Sequence, residues 1–427
     1  MQILFHMENL IKNFSRLSPL GKLLCGLLIL LPLAVLFLHP NTLLPPGPKE
    51  FAHATVAEII FISGYILFRR SRGYDFWIIP LPVWLCFGLW LLASCLSLSS
   101  AADYTEALHK LAQYLFHFFF AVTLISYLLK ERQEISAVYS SLLLSLYLML
   151  LLFLITTAIM SQSPHFNWTL SLPGFSNLRH LDYILAVMLS ATIMLPFSLK
   201  DGLSGRWRIF FLVALTLLWL LLCWTGARGS ILSSLIATGI CLFVMRKHSL
   251  TRQLLVIFLL TMISGALISL ALPIPDGNYG LIRFATSISE YQDFNKLSSN
   301  RVSIWLEALE KWCSSPWVGA GAGQTIYIIE SANKTFVQPH NVVVQALLAW
   351  GIIGGSGFIG IITGILWNAY RHATERMRHN PAAIAGLGMM LTIAANAMID
   401  GTLYHPVPFF LFLMGSGLAL TPPAKAH

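Results

Sequence analysis

Five side chains that carry chemistry lie just outside long apolar runs. They are Arg179 in "SNLRHLDY", Arg228 in "WTGARGS", Arg301 in "SSNRVSIW", His340 in "QPHNVVVQ" and Asp400 in "MIDGTLYHP". An arginine presents a planar fork of donors that matches phosphate oxygens two at a time. A histidine exchanges a proton near neutral pH, and a carboxylate can orient it. Together these types describe a site that holds an anion and moves a proton. Taken singly, each has a blander explanation. An arginine snorkels to a headgroup, a histidine caps a helix, and a carboxylate ends one. Arg228 is the hardest to dismiss, because its short turn between two apolar runs leaves its side chain only the bundle or the headgroup layer.

The elements that must position these residues are apolar throughout. The chain has 427 residues, 56% of them hydrophobic and 11% charged. Soluble domains carry about a quarter charged residues, so a water-soluble fold is excluded. Apolar runs fall at about 20–38, 51–68, 76–98, 108–129, 137–159, 180–199, 208–224, 229–245, 253–272, 341–368, 383–399 and 405–421. Each has the length a helix needs to cross a bilayer core. The expectation is an all-α polytopic membrane protein of about twelve transmembrane helices. It divides into residues 1–272 with nine spans, an outer loop at 273–339, and residues 340–427 with three more. The N-terminal "MQILFHMENLIKNFSRLSPLGK" lacks an apolar core followed by a small-residue cleavage site. It reads as a tail leading into the first span.

The net charge of +9 has a different meaning here than in a soluble protein. No aromatic-rich basic motif points to nucleic acid. Instead, every connection on one side is basic, including Arg69, Arg70, Arg72, Arg246, Lys247 and Arg371. Short connections on the other side carry only Lys49, Lys110, Arg179 and Arg228. The positive-inside rule then puts both termini in the cytoplasm. Arg179, Arg228, Arg301, His340, Asp400 and His405 all fall on the opposite, outer face.

The long loop has structure of its own. In "NRVSIWLEALEKW", Val302, Trp305, Leu306, Leu309 and Trp312 recur at helical spacing, which predicts an amphipathic helix. A loop of this length with its own helix is usually functional. "GAGAG" at 319–323 lacks the Lys-Ser/Thr of a phosphate-binding loop, so it reads as a turn. "PHN" sits where the tenth helix begins, and the positive end of that helix would favour a nearby anion. His109 and His117 share one side of the fourth span, where Lys110 is expected to reach outward to the interface. The six cysteines have no metal-ligand spacing and read as packing residues. No metal or cofactor is expected. "GIIGGSGFIGIITG" reads either as close helix packing or as a broken helix of the transporter kind.

"HNVVVQALLAWGIIGG" resembles the H-[N/S/Q]-x9-G-x-x-G pattern of the bacterial O-antigen ligase family, with His340 and Asn341 followed at that spacing by Gly351 and Gly354. "RVSIWLEALEKWCSSPWVGAGAGQ", "TGARGS" and "FSNLRHLDYILA" resemble further segments of the same family, which covers residues 175–400 most clearly. The superfamily also includes O-antigen polymerases and protein O-oligosaccharyltransferases. The resemblance implies a GT-C-type glycosyltransferase of the bacterial inner membrane, acting in lipopolysaccharide biosynthesis. It would move an undecaprenyl-diphosphate-linked glycan to the lipid A core on the periplasmic face, by inverting transfer without a metal. It implies His340 as the catalytic base and Arg228, Arg301 and Arg179 as diphosphate holders. Asn341 and Asp400 would support them. Beyond these two substrates the implied partners are membrane lipids, with no nucleic acid.

Overall fold

The computed structural model describes residues 15–37, 52–68, 79–168, 172–175, 177–198, 205–275, 279–283, 298, 301–332, 336–375 and 381–421. Lys49, Arg69, Arg70 and Arg72, and the outermost residues of several expected spans, lie outside these. Among the described residues all regular structure is helical. The apolar helices are α1 (Pro19–Phe37), α2 (Ala52–Phe68), α3 (Leu81–Ser97), α4 (Tyr104–Lys130), α5 (Ile135–Met160) and α6 (Leu178–Thr192). They continue as α7 (Gly205–Trp224), α8 (Arg228–Val244) and α9 (Thr251–Ala271). After α10 (Arg301–Ser314) come α11 (Val342–Glu375), α12 (Pro381–Ala397) and α13 (Pro406–Leu420). Each expected span falls on one of these apolar helices. Eight are long and apolar enough to cross a membrane; α2, α8, α12 and α13 are shorter apolar helices. The chain is a multi-pass membrane protein.

Burial explains why the short helices are tolerated. Nearly every residue of α6, α12 and α13 is buried, so these sit at the centre of the bundle and meet protein rather than lipid. α12 packs on α13, α8 and α6, and α13 packs on α4. The outer helices α3, α7 and α9 keep exposed apolar faces, such as Leu85, Leu89 and Leu92, or Ile209, Phe210 and Val213. Those faces suit lipid tails. Inside the bundle, Glu58 of α2 and His117 of α4 pair, with both carboxylate oxygens 2.7 Å from His117 Nδ1. A buried charge needs such a partner. Lys110, expected to reach outward, meets the turn between α12 and α13. Its Nζ lies 4.0 Å over the Tyr404 ring, held by a cation–π contact, and 3.4 Å from Gln113 Oε1.

The glycine-rich stretch of α11 serves both expected roles. Gly354, Gly357 and Gly360 let α11 close on Ala93, Trp90 and Cys86 of α3, where a Cβ would clash. Gly351 breaks the helix, with φ 61° and ψ −165°, a conformation essentially reserved for glycine. The break strands two carbonyls and two amides, and the preceding loop takes all four. Ile352 and Ile353 N–H donate to the carbonyls of Pro316 (2.8 Å) and Trp317 (3.2 Å). Ala320 and Gly321 N–H donate to those of Leu348 and Ala349, both at 2.9 Å. The glycines of "GAGAG" thus allow one backbone to lie against another. Gly319 stands so close to Ala349 and Gly351 that any side chain would collide with them. At the break these backbone groups are taken by the loop, so they are not offered to a transported ion, which weakens the broken helix as a sign of a transporter.

The amphipathic helix forms as α10, but its inward face differs from the expected stripe. Ile304 and Ala308 are buried against Ile329 and Leu348, while Leu306 is 65% exposed. Of the six cysteines, Cys25, Cys223 and Cys241 are buried and Cys86 is half-buried, but Cys95 and Cys313 are exposed.

Candidate active site

The turn between α7 and α8 places the first arginine. Gly226 takes φ +66°, Arg228 N–H donates to the Gly226 carbonyl at 3.0 Å, and α8 starts there. Arg228, Gly229 and Ser230 line a cavity of about 210 Å³. The amino end of a helix carries partial positive charge and unsatisfied N–H groups, so it adds to the arginine's pull on an anion.

α6 brings the second. Asn177 caps this helix by accepting from Arg179 N–H at 3.0 Å. Arg179 Nη1 then donates to Asp182 Oδ2 at 3.0 Å and reaches the Thr225 carbonyl at 3.4 Å. Arg283 enters from the segment after α9 and donates to the Gly226 carbonyl at 3.2 Å. Arg301, the first residue of α10, donates to the Ile399 carbonyl and places Nη2 3.2 Å from Asp400 Oδ2. All four arginines line the one cavity, with Asp400 the single carboxylate among the lining residues.

Among the described residues, the four arginines outnumber the carboxylates that pair with them, Asp182 and Asp400. Burial, together with the charges of Arg179 and Arg228, pushes Arg283 down to about 10. It remains charged at neutral pH, but like-charge repulsion disfavours that state. An anion with several charged oxygens removes the repulsion and accepts the donor forks.

His340 is not among the cavity's lining residues. It is joined to the cavity through Asp400, whose Oδ1 lies 2.7 Å from His340 Nδ1 and also accepts from Gly401 N–H at 2.8 Å. Burial would raise the Asp400 carboxyl, but the His340 hydrogen bond and the Arg301 charge hold it well below the usual carboxylate range. An ionised carboxylate only accepts, so His340 carries its proton on Nδ1. Nε2 is the ring's other nitrogen. It is buried and has no hydrogen-bond partner among the described residues. An imidazole held by a carboxylate through Nδ1, with Nε2 unpaired, is the arrangement that a general base uses.

The backbone at His340 is also unusual. It is the one non-glycine residue among those described with positive φ, at 58°. The left-handed conformation costs a residue with a Cβ about 1–2 kcal/mol. Phe336 stands edge-on to the ring at 5.1 Å between centroids. Asn341 serves as the cap of α11, accepting from Val343 and Val344 N–H at 2.9 and 3.1 Å and donating to the Met398 carbonyl at 2.9 Å.

The structure thus gathers Arg179, Arg228, Arg301 and Asp400 around one cavity, links His340 through Asp400, and leaves Asn341 beside it as a cap. Sequence reading missed Arg283 as a site residue. It stood in the same outer loop as Arg301, in "GLIRF", with no motif to mark it. It also missed Gln338, which is two residues before His340 and buried.

Residues 211–359 match the family described as O-Antigen ligase. The chain is also similar to the O-antigen ligase of Pseudomonas aeruginosa (strain ATCC 15692), with 27% identity over 146 residues. That match covers 34% of this chain and 33% of the relative, so it spans about a third of each. Arg228, Arg283, Arg301 and His340 lie inside the matched region; Arg179 and Asp400 lie outside it.

Proposed function

We propose that this membrane protein is an O-antigen ligase. It transfers a glycan from undecaprenyl diphosphate to the lipid A core oligosaccharide on the periplasmic side of the bacterial inner membrane, with both termini cytoplasmic. The observation that carries this reading is the cavity of four arginines joined through Asp400 to a histidine whose Nε2 has no hydrogen-bond partner among the described residues. Each part has a role. The arginines hold the donor's diphosphate and stabilise the charge that grows on it as the glycosidic bond breaks. His340 Nε2 takes the proton from the acceptor hydroxyl while its oxygen bonds the anomeric carbon. Asp400 holds the imidazole in the right tautomer and stabilises the imidazolium that forms. Direct displacement inverts the anomeric carbon.

Deleting the gene and running the host's lipopolysaccharide on a gel tests this reading. Loss of the long ladder with an intact core supports the ligase. Collapse of the ladder to a single repeat assigns the chain to polymerisation instead. Unchanged lipopolysaccharide with loss of a glycoprotein band assigns it to protein glycosylation. An anomeric configuration retained in the product overturns the single-displacement step.

A further inference from the structure

The segment before α11 contains a device that the transfer reading does not use. The peptide unit between Pro339 and His340 is pinned at both ends. Its carbonyl accepts from Trp305 Nε1 at 2.6 Å, and its N–H donates to Gln338 Oε1 at 2.5 Å. Downstream, Asn341 is fixed by its contacts with α11 and Met398. With the plane before His340 and the residue after it both held, the backbone of His340 has little freedom left. It sits in the left-handed region, from which an unheld histidine would relax.

The Gln338 side chain does more than accept one hydrogen bond. It is 1% exposed. Its Nε2 packs 3.0 Å from His340 Nδ1, a contact between two donors when Nδ1 gives its proton to Asp400, so the hydrogen bond that links Gln338 to His340 is the one from His340 N–H to Oε1. The amide also rests on Gly401, where any Cβ would collide with it. Gly401 N–H in turn donates to Asp400 Oδ1. Gln338, His340, Asp400 and Gly401 therefore close a ring, and moving one displaces the others.

We propose that Gln338 is a positioning residue for the transfer step: its amide fixes the left-handed backbone of His340 and so keeps Nδ1 on Asp400 and leaves Nε2 as the nitrogen for the acceptor. This rests on the reading of His340 as the base. If His340 relaxes to negative φ, its Cβ swings to the other side of the chain and the Asp400 contact is lost. Gln338 touches neither substrate in this scheme, so its loss acts on the chemical step and leaves donor binding by the arginines in place.

The test uses full-length protein in membranes or detergent, with an undecaprenyl-diphosphate-linked glycan as donor and lipid A core as acceptor. Gln338→Leu keeps the volume and removes the amide. We expect kcat to fall about 10²-fold, the scale on which a misplaced catalytic group costs rate. The donor KM should stay at its wild-type value. Gly401→Ala pushes on the same amide from the other side and should lower kcat in the same way. In a Gln338→Ala background that push has no target, so Gly401→Ala should then cost nothing further; such non-additivity reports direct coupling. Wild-type kcat in Gln338→Leu overturns the proposal, as do additive losses in the double variant. If Gln338→Leu fails to reach the membrane, the cycle of Gly401→Ala with Gln338→Ala decides alone. Near-normal transfer by His340→Ala would instead overturn the base reading, whatever Gln338→Leu does.

Discussion

Asp400 faces His340 with one carboxylate oxygen and Arg301 with the other, at 2.7 and 3.2 Å. One buried carboxylate thus ties the proton-moving residue to the anion-holding cavity. Removing it should disturb both. Asp400→Asn frees the tautomer of His340 and leaves Arg301 without its counter-ion. Transfer should drop by about 10²–10⁴-fold, the range for loss of a base or its orienting carboxylate. Immunoblots of membranes should show normal protein, and the lipopolysaccharide ladder should be lost. His340→Gln should behave alike.

The same carboxylate sets a pH expectation. His340 and Arg301 hold it well below the usual range, against the opposing effect of burial. A group whose pKa falls on folding gives stability that is present above its unfolded value, about 3.9 for aspartate. That stability is lost only as pH falls further, through the folded value. The melting-temperature advantage of wild type over Asp400→Asn should therefore not shrink between about pH 7 and 5. It should shrink only below about pH 4, and thermal melts in detergent that show no such loss would mean that the Asp400 carboxyl is not held low.

The crowded arginines predict a ligand response. Arg283 is pushed down to about 10 by burial and by its neighbours' charges. A polyanion that binds the folded site relieves this and raises the melting temperature by mass action. Inorganic pyrophosphate should stabilise the wild type. Arg283→Gln and Arg228→Gln should each lose most of that shift, and each should raise the donor KM more than it lowers kcat. An undiminished pyrophosphate shift in both variants would place the anion elsewhere.

Two glycines should respond in opposite ways to alanine. Gly351→Ala forces a Cβ into a φ/ψ region that only glycine adopts readily and into the backbone of Trp317. Strain of about 1–3 kcal/mol and the clash should lower expression and melting temperature together. Gly239 lies inside α8 with nothing within 4 Å of a new Cβ. Gly239→Ala should be neutral or stabilising by about 0.5–1 kcal/mol. Equal effects at the two positions would mean that the break in α11 is not held as described.

Much of this was legible in the sequence because membranes write large signals. Apolar runs gave the helices, and the side on which arginines accumulate singled out Arg179, Arg228 and Arg301. His340 was raised by its place at the edge of an apolar run, and its role by the family resemblance. Pairings far apart in sequence were not legible, because only packing decides them. His340 meets Asp400 across 60 positions, and His117 meets Glu58 across 59. The letters of α10 gave its period but misplaced its face, since small Ala308 is buried while large Leu306 is not. The partner of Lys110 was not legible either, since the Tyr404 ring it meets lies far along the chain. Arg283 has no local mark at all; its place depends on the fold of the loop around Gly226.

The joint at Gly351 makes the start of α11 and the 316–321 loop a single module. Residues 342–350 take their bearing from backbone bonds with that loop as well as from the helix below the break. The stretch from α10 to Gly351 is thus a cassette whose parts share one register. Chimeras with relatives should exchange it whole. A swap that cuts between Trp317 and Ala349 would join two halves whose hydrogen bonds no longer meet, and the histidine carried on the module would be misaligned even with every site residue retained.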